Sequence, residues 1–477
     1  MESPTHWTVG SPNLIVSPES LHVIRDVVFE PQGGCSTSVS GNSGNASVSP
    51  TATMEPLYGK VHRPPHRNYS SIVKKKSVKF HPAGTAGTAA SEAADDVTLR
   101  RQYRVGLNLF NQNPELGMEY LMKKDFVDYS PSAVGKFLRG RKGLSKKMMG
   151  HYLCQLQRPF NLATLHCFVH EMDFSGLHLD IALRHLYQEV TPPNSEAQKV
   201  EKIIEVFSKR YIACNQLFAN QFRSPDAIFV LSYAIVLLNT DLHSKAMKKA
   251  KRMKREDFVR NLRGADQGAD LDTEMLQGIY DRIKENELKA GPDHVSQVSR
   301  VEETILCHGG KKGKQQNPKQ PLASDTSRRL VCFCRLTEVP DAQLLHKKAK
   351  IKADAHQRGI FLFNDLLVVT KTLSKKDSKK TAVQYQFRSY LELRDLRINV
   401  FSTNQFPFGV QLQDKLTGKI AGTFNSRSQA DQQRFVNDLE ESIAEMTEME
   451  HAKSILNDDN ARNQMLQDED NAYETLC

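Results

Sequence analysis

The chain has 477 residues, 65 Lys+Arg against 55 Asp+Glu for a formal net charge of +10, and only 39% apolar residues. This length holds two or three domains, and the low apolar share implies that part of the chain packs into no core. No run of about 18 apolar residues exists to span a bilayer. The start, Met1-Glu2-Ser3-Pro4-Thr5, lacks the basic and apolar regions of a secretory signal. The eight cysteines form no CxxC pair, which argues against a zinc or disulfide framework and for a reducing, cytoplasmic setting.

Residues 1–97 are rich in Ser, Pro, Gly and Thr and are read as a disordered N-terminal segment. Its one basic cluster is Lys74-Lys75-Lys76 with Lys79. From residue 98 helical periods begin with Leu107, Phe110, Leu116 and Leu121, and continue through Phe126, Val134, Phe137 and Leu138. Asn113-Pro114, Ser130-Pro131, Pro159 and Pro192-Pro193 punctuate them. Residues 98–291 are therefore predicted to form one all-α domain of roughly ten short helices. Residues 292–327, with Lys311-Lys312-Gly313-Lys314, read as a mobile linker.

At Arg328 the period changes to that of strands. Leu330, Cys332 and Cys334 alternate with Val331, Phe333 and Arg335, and Ile360-Phe361-Leu362-Phe363 turns through Asn364-Asp365 into Leu366-Leu367-Val368-Val369. A helix from Ser428 to about Met449 carries Phe435, Leu439, Ile443 and Met446 on one face. Residues 328–449 are predicted to form a small antiparallel β-barrel or sandwich closed by that helix. Residues 450–477 read as an acidic tail.

Two segments of the helical region carry the chemistry. In Pro192-Pro193-Asn194-Ser195-Glu196-Ala197-Gln198-Lys199-Val200, the prolines stiffen an exposed loop. Ser195 and Gln198 form a capping box that places Glu196 in the first helical turn. In Ser224-Pro225-Asp226, a strong helix start precedes the apolar run Ile228 to Leu238 and the polar end Asn239-Thr240-Asp241-Leu242-His243. By residue type alone these are a carboxylate complementing a helix dipole and a core helix with a polar cap.

Together, and in this order, they resemble the two signature motifs of the Sec-seven domain, the exchange module of Arf guanine-nucleotide exchange factors. The strand-rich region resembles a pleckstrin homology (PH) domain. Phe258 to Gly264, Arg328 to Cys332 and Ser442 to Glu445 are most similar to the IQSEC (BRAG) subfamily. The IQ motif of that subfamily is not found in residues 1–95, so calmodulin is not expected as a partner.

The resemblance implies a regulator of Arf GTPases that breaks no bond and uses no cofactor or metal of its own. Glu196 takes the role of the inserted glutamate, repelling the nucleotide phosphates, displacing their magnesium ion and pairing with the phosphate-loop lysine. Tyr233, Val236 and Leu237 line the groove for the apolar GTPase switch residues, and Asn239, Asp241 and Ser244 form its polar end. The PH resemblance implies peripheral attachment to anionic lipids or phosphoinositides through Arg335, Lys347, Lys348, Lys350, Lys352, Arg358, Lys375 and Lys376. The run Lys245 to Arg255 adds positive charge beside the groove. Nucleic acid is not expected, because these runs lack interleaved aromatics and a reading helix. The end Glu474-Thr475-Leu476-Cys477 resembles a PDZ-binding terminus.

Overall fold

The computed structural model describes residues 89–193, 196–244, 251–306, 321–339, 356–373 and 384–476. Helix α1 spans Ala89–Gln112, starting before the predicted boundary. The turn residues act as caps: Asn113 accepts from the N–H groups of Glu115 and Leu116 at the start of α2 (Pro114–Lys123). Ser130 caps α3 (Pro131–Gly140) and Ser145 caps α4 (Lys146–Leu153). There follow α5 (Pro159–His170), α6 (Leu179–Glu189), α7 (Ala197–Cys214) and the single turn α8 (Gln216–Ala219). Then come α9 (Asp226–His243), α10 (Arg255–Asn261) and α11 (Thr273–Glu285).

These helices enclose one core, in which Phe110, Phe168, Phe207, Ile235 and Phe258 are fully buried. By length and composition α9 could cross a membrane, but 56% of it is buried inside this domain. Its apolarity is that of a core helix.

The region between the two domains differs from the expected mobile linker. Residues 294–304 form helix α12 (His294–Thr304), begun by a reciprocal capping box between Asp293 and Ser296. The lysines at 311–319 lie outside the described residues. Strand β1 (Ile305–Leu306) then pairs in parallel with β5 (Tyr385–Glu392). The other strands are β2 (Leu330–Glu338), β3 (His356–Phe363), β4 (Leu366–Thr372), β6 (Leu396–Phe401), β7 (Gly409–Asp414) and β8 (Ile420–Asn425). Their order is β1-β5-β4-β3-β2-β8-β7-β6, antiparallel apart from the first pair.

Strand period explains the role of α12. Ile360 and Leu362 of β3 face an inner core with Leu412, Phe424, Phe435 and Leu439. Phe361 and Phe363 point the other way, into a second cluster with Val368 and Phe387. Val298 of α12 and Leu322 cover that outer face, with Val301 and Ile305 beside them. The run Ile360 to Phe363 is continuously apolar because both faces of β3 are buried.

Helix α13 spans Gln429–Leu476, where an end near Met449 and a tail were expected. No Gly or Pro follows Gly422, so nothing local stops it. Its first turns plug the sheet through Phe435, Val436, Leu439 and Met446. The next turns leave the sheet and lie on the helical domain. There Met449, Ala452 and Leu456 meet Val105, Leu109, Leu116 and Tyr120.

Charge fixes this contact. Glu441 accepts two hydrogen bonds from Arg101, at 3.1 and 2.8 Å, and one from Arg104. Fully buried Glu445 accepts from Arg104 Nε at 2.5 Å, Asn108 Nδ2 at 2.6 Å and Arg329 Nη2 at 2.8 Å. Thr326 Oγ1 adds a bond to the Asn111 carbonyl, and the Thr326 carbonyl lies 2.7 Å from His294 Nε2.

Candidate functional site

Glu196 stands at the end of a loop pinned to α4. Thr191 N–H donates to the Lys146 carbonyl at 3.1 Å. The Thr191 carbonyl lies over Gly150, where an added Cβ would be 1.9 Å away. Only glycine fits there, a requirement that no sequence motif announced. Pro192 and Pro193 are buried, not exposed as expected; they act as anchors between α4 and α7.

The capping geometry also differs from expectation. Glu196 N–H donates to the Pro193 carbonyl at 3.2 Å, which holds Glu196 extended (φ −126°, ψ 103°). It is therefore the N-cap residue, one position before the first turn, and α7 opens at Ala197. Asn194 and Ser195 lie outside the described residues. The Glu196 side chain caps no backbone N–H and is 51% exposed. Its carboxylate pairs with Lys199 at 2.9 Å. Beneath lie His151, lowered in pKa by burial and by the charges of Lys147 and Lys199, and Cys154, whose thiol burial pushes up to about 12. The Cys154 thiol is thus kept protonated and is not suited to nucleophilic work at neutral pH.

Helix α9 packs beside α7. Tyr233 is half-buried, and its phenol is raised in pKa by burial and by the charge of Glu201, five residues after Glu196. Phe229 stacks on Tyr233 with ring centroids 6.3 Å apart. Phe229, Val230, Tyr233 and Leu237 form a half-buried apolar stripe that ends at exposed Thr240. Sequence reasoning named Tyr233 and Leu237 but not Phe229 or Val230, although helical spacing from Tyr233 pointed to them. Val236 is 6% exposed and faces the core.

The polar end is tied to the scaffold. Asn239 Oδ1 accepts from Leu288 N–H at 2.8 Å, and buried Asp241 accepts from Met253 N–H at 2.6 Å. The Ser244 carbonyl accepts from Arg252. Residues 245–250 of the basic run lie outside the described residues. Among the described residues no group of three His, Cys, Asp or Glu side chains could hold a metal ion.

Known proteins resemble the regions that carry these residues. Residues 99–288 match the family described as Sec7 domain, and residues 319–457 the family described as PH domain. The chain carries a Sec7 domain followed by a PH domain. Human cytohesin-2 is 34% identical over 207 residues, which is 43% of this chain and 50% of cytohesin-2. The brefeldin A-inhibited guanine nucleotide-exchange protein 3 of Arabidopsis thaliana is 37% identical over 201 residues, 41% of this chain and 11% of that protein. The chain thus spans half or less of the length of these curated relatives. A solved structure of ARF1-GDP bound to a Sec7 domain complexed with brefeldin A is 34% identical, with 42% of this chain and 97% of that one covered and a TM-score of 0.38.

Glu196 precedes α7, and Tyr233 and Leu237 lie on its neighbour α9, where Val236 and Asp241 are buried and Asn239 is half-buried. In the PH domain, Arg335 is exposed on β2. Arg358, opposite Leu336 across β2 and β3, has a side chain only 11% exposed, and its Nε pairs with Glu338 at 2.5 Å. Lys347, Lys348, Lys350, Lys352, Lys375 and Lys376 lie outside the described residues. The backbone from Glu474 to Leu476 continues α13, whereas a PDZ ligand adds as an extended strand.

Proposed function

We propose that the chain is a guanine-nucleotide exchange factor for Arf-family GTPases, acting as a peripheral protein on the cytoplasmic face of anionic membranes and most similar to the IQSEC (BRAG) subfamily. The observation that carries this reading is Glu196: a half-exposed carboxylate at the end of a loop anchored on Gly150, at the start of the helix that packs beside α9 and its half-buried stripe. The stripe would bury apolar switch residues of the GTPase, and that binding energy would carry Glu196 to the phosphates. There the carboxylate would leave Lys199 for the phosphate-loop lysine and, by its charge, displace the magnesium ion from the phosphates. Since the charge of Glu196 opposes the phosphates, GDP leaves and GTP refills the site by mass action. Arg335 with Lys347, Lys348, Lys350, Lys352, Lys375 and Lys376 would hold the PH domain to anionic headgroups.

Release of fluorescent GDP from a purified Arf protein on anionic liposomes tests this. Glu196→Lys should lose exchange while still sedimenting with liposomes and unfolding as the parent does. Liposome binding with no release by the parent protein would instead make the chain a non-catalytic adaptor. Unchanged release by Glu196→Lys would remove Glu196 from the mechanism.

A further inference from the structure

Among the described residues, three large apolar side chains are 80% exposed or more: Leu217, Tyr129 and Leu416. Their settings differ. Tyr129 stacks on Phe160 at 4.9 Å and follows Asp128, and Leu217 sits among the neutral Asn215, Gln216 and Asn220. Leu416 stands on the tip of the β7–β8 hairpin, where every residue from Lys415 to Ile420 is exposed. The tip reads Lys415-Leu416-Thr417-Gly418-Lys419-Ile420, each apolar side chain following a lysine. Ile420 is itself 43% exposed.

The tip is held rigidly. Asp414 Oδ1 accepts from the N–H groups of Leu416 at 2.9 Å and Thr417 at 2.7 Å. Gly418 N–H donates to the Asp414 carbonyl, and Asp414 N–H to the Lys419 carbonyl, both at 2.9 Å. Gln413 Nε2 donates to the Gly418 carbonyl at 2.7 Å, and Gly418 takes a φ of +67° that other residues rarely adopt. The one acidic side chain of the tip thus has an oxygen engaged with its own backbone. Presenting Leu416 costs little further conformational entropy.

We infer that this hairpin is a membrane wedge, in which Leu416 and Ile420 enter the acyl boundary of an anionic bilayer while Lys415 and Lys419 stay among the headgroup phosphates. A convex tip that alternates cations with apolar side chains matches a surface that is anionic outside and hydrocarbon within. A protein partner would have to supply a concave apolar pocket flanked by two acids. The wedge rests on the membrane reading above but uses none of the residues that reading names.

The chain has a single tryptophan, Trp7. In the full-length protein carrying Trp7→Phe and Leu416→Trp, emission should shift to the blue on phosphatidylserine-containing vesicles and be quenched by nitroxides on the lipid chains. Neutral phosphatidylcholine vesicles should produce neither change. Leu416→Asp in the parent chain should weaken binding to the anionic vesicles about tenfold or more, with exchange on an Arf protein in lipid-free solution unchanged. Sedimentation with anionic vesicles without an emission shift would overturn the wedge and leave the membrane reading standing. Failure to sediment would overturn both. A shift produced by the GTPase alone would make the tip a protein contact and overturn the wedge.

Discussion

Glu445→Ala tests whether the two domains are one mechanical unit. Burial alone would raise the Glu445 pKa, but the charges of Arg329 and Arg104, with hydrogen bonds from Arg104 and Asn108, outweigh it and hold the carboxyl below its usual value. Removing one partner of a buried ion pair costs about 3–5 kcal/mol, chiefly from the charges left behind. Here Arg104 keeps Glu441, and the side chains of Arg104 and Arg329 are 21% and 29% exposed, so water recovers part of the loss. The low end, about 3 kcal/mol, is expected.

Urea unfolding followed by circular dichroism would measure this cost, and calorimetry would show whether a single transition splits into two. The pH dependence has a definite sign. A depressed folded-state pKa gives stability that is fully present above the unfolded carboxyl value of about 4.3 and is lost as pH falls through the lower folded value. Glu445→Ala should lack this part of the acid limb and converge on the parent protein at low pH. A variant that unfolds within about 0.5 kcal/mol of the parent, with an identical acid limb, would refute the clamp.

Gly150→Ala should push the Thr191 carbonyl away and shift Glu196; GDP release from an Arf protein is expected to fall roughly 10- to 100-fold, with overpacking costing about 1–3 kcal/mol in a thermal melt. A fragment starting at Arg328 uncovers Phe361 and Phe363 by losing α12 and Leu322. It should bind an apolar dye and lose about 3–6 kcal/mol relative to one starting at Asp293, since buried Val298 and Leu322 each contribute about 1.5–3 kcal/mol.

Much of the fold was legible because it follows from local signals. The caps Asn113 and Ser130 sit where polar residues precede prolines, and the change of period at Arg328 marks the first long strand. The site was legible as a pattern of residue types around Glu196 and Tyr233. Its supports were not, because they are contacts between distant positions. Gly150 matters only once Thr191 lies over it, and the hold on Asn239 exists only once Leu288 N–H binds it. Arg358 was read among the headgroup cations because one sequence does not show that Glu338 pairs with its Nε.

The sequence by itself determined the order of two compact regions, their α and β character, and the identity of the candidate glutamate. These depend on side-chain period, capping chemistry and a linear motif, all encoded within a few residues of one another. Tertiary structure decided the rest. The supposed linker helix closes the outer face of the PH sheet, and the supposed tail extends the closing helix onto the Sec7 domain. A doubly buried strand needs a second layer, and a buried carboxylate needs cations; the residues that satisfy these needs, Val298 for β3 and Arg104 for Glu445, lie far away in the chain.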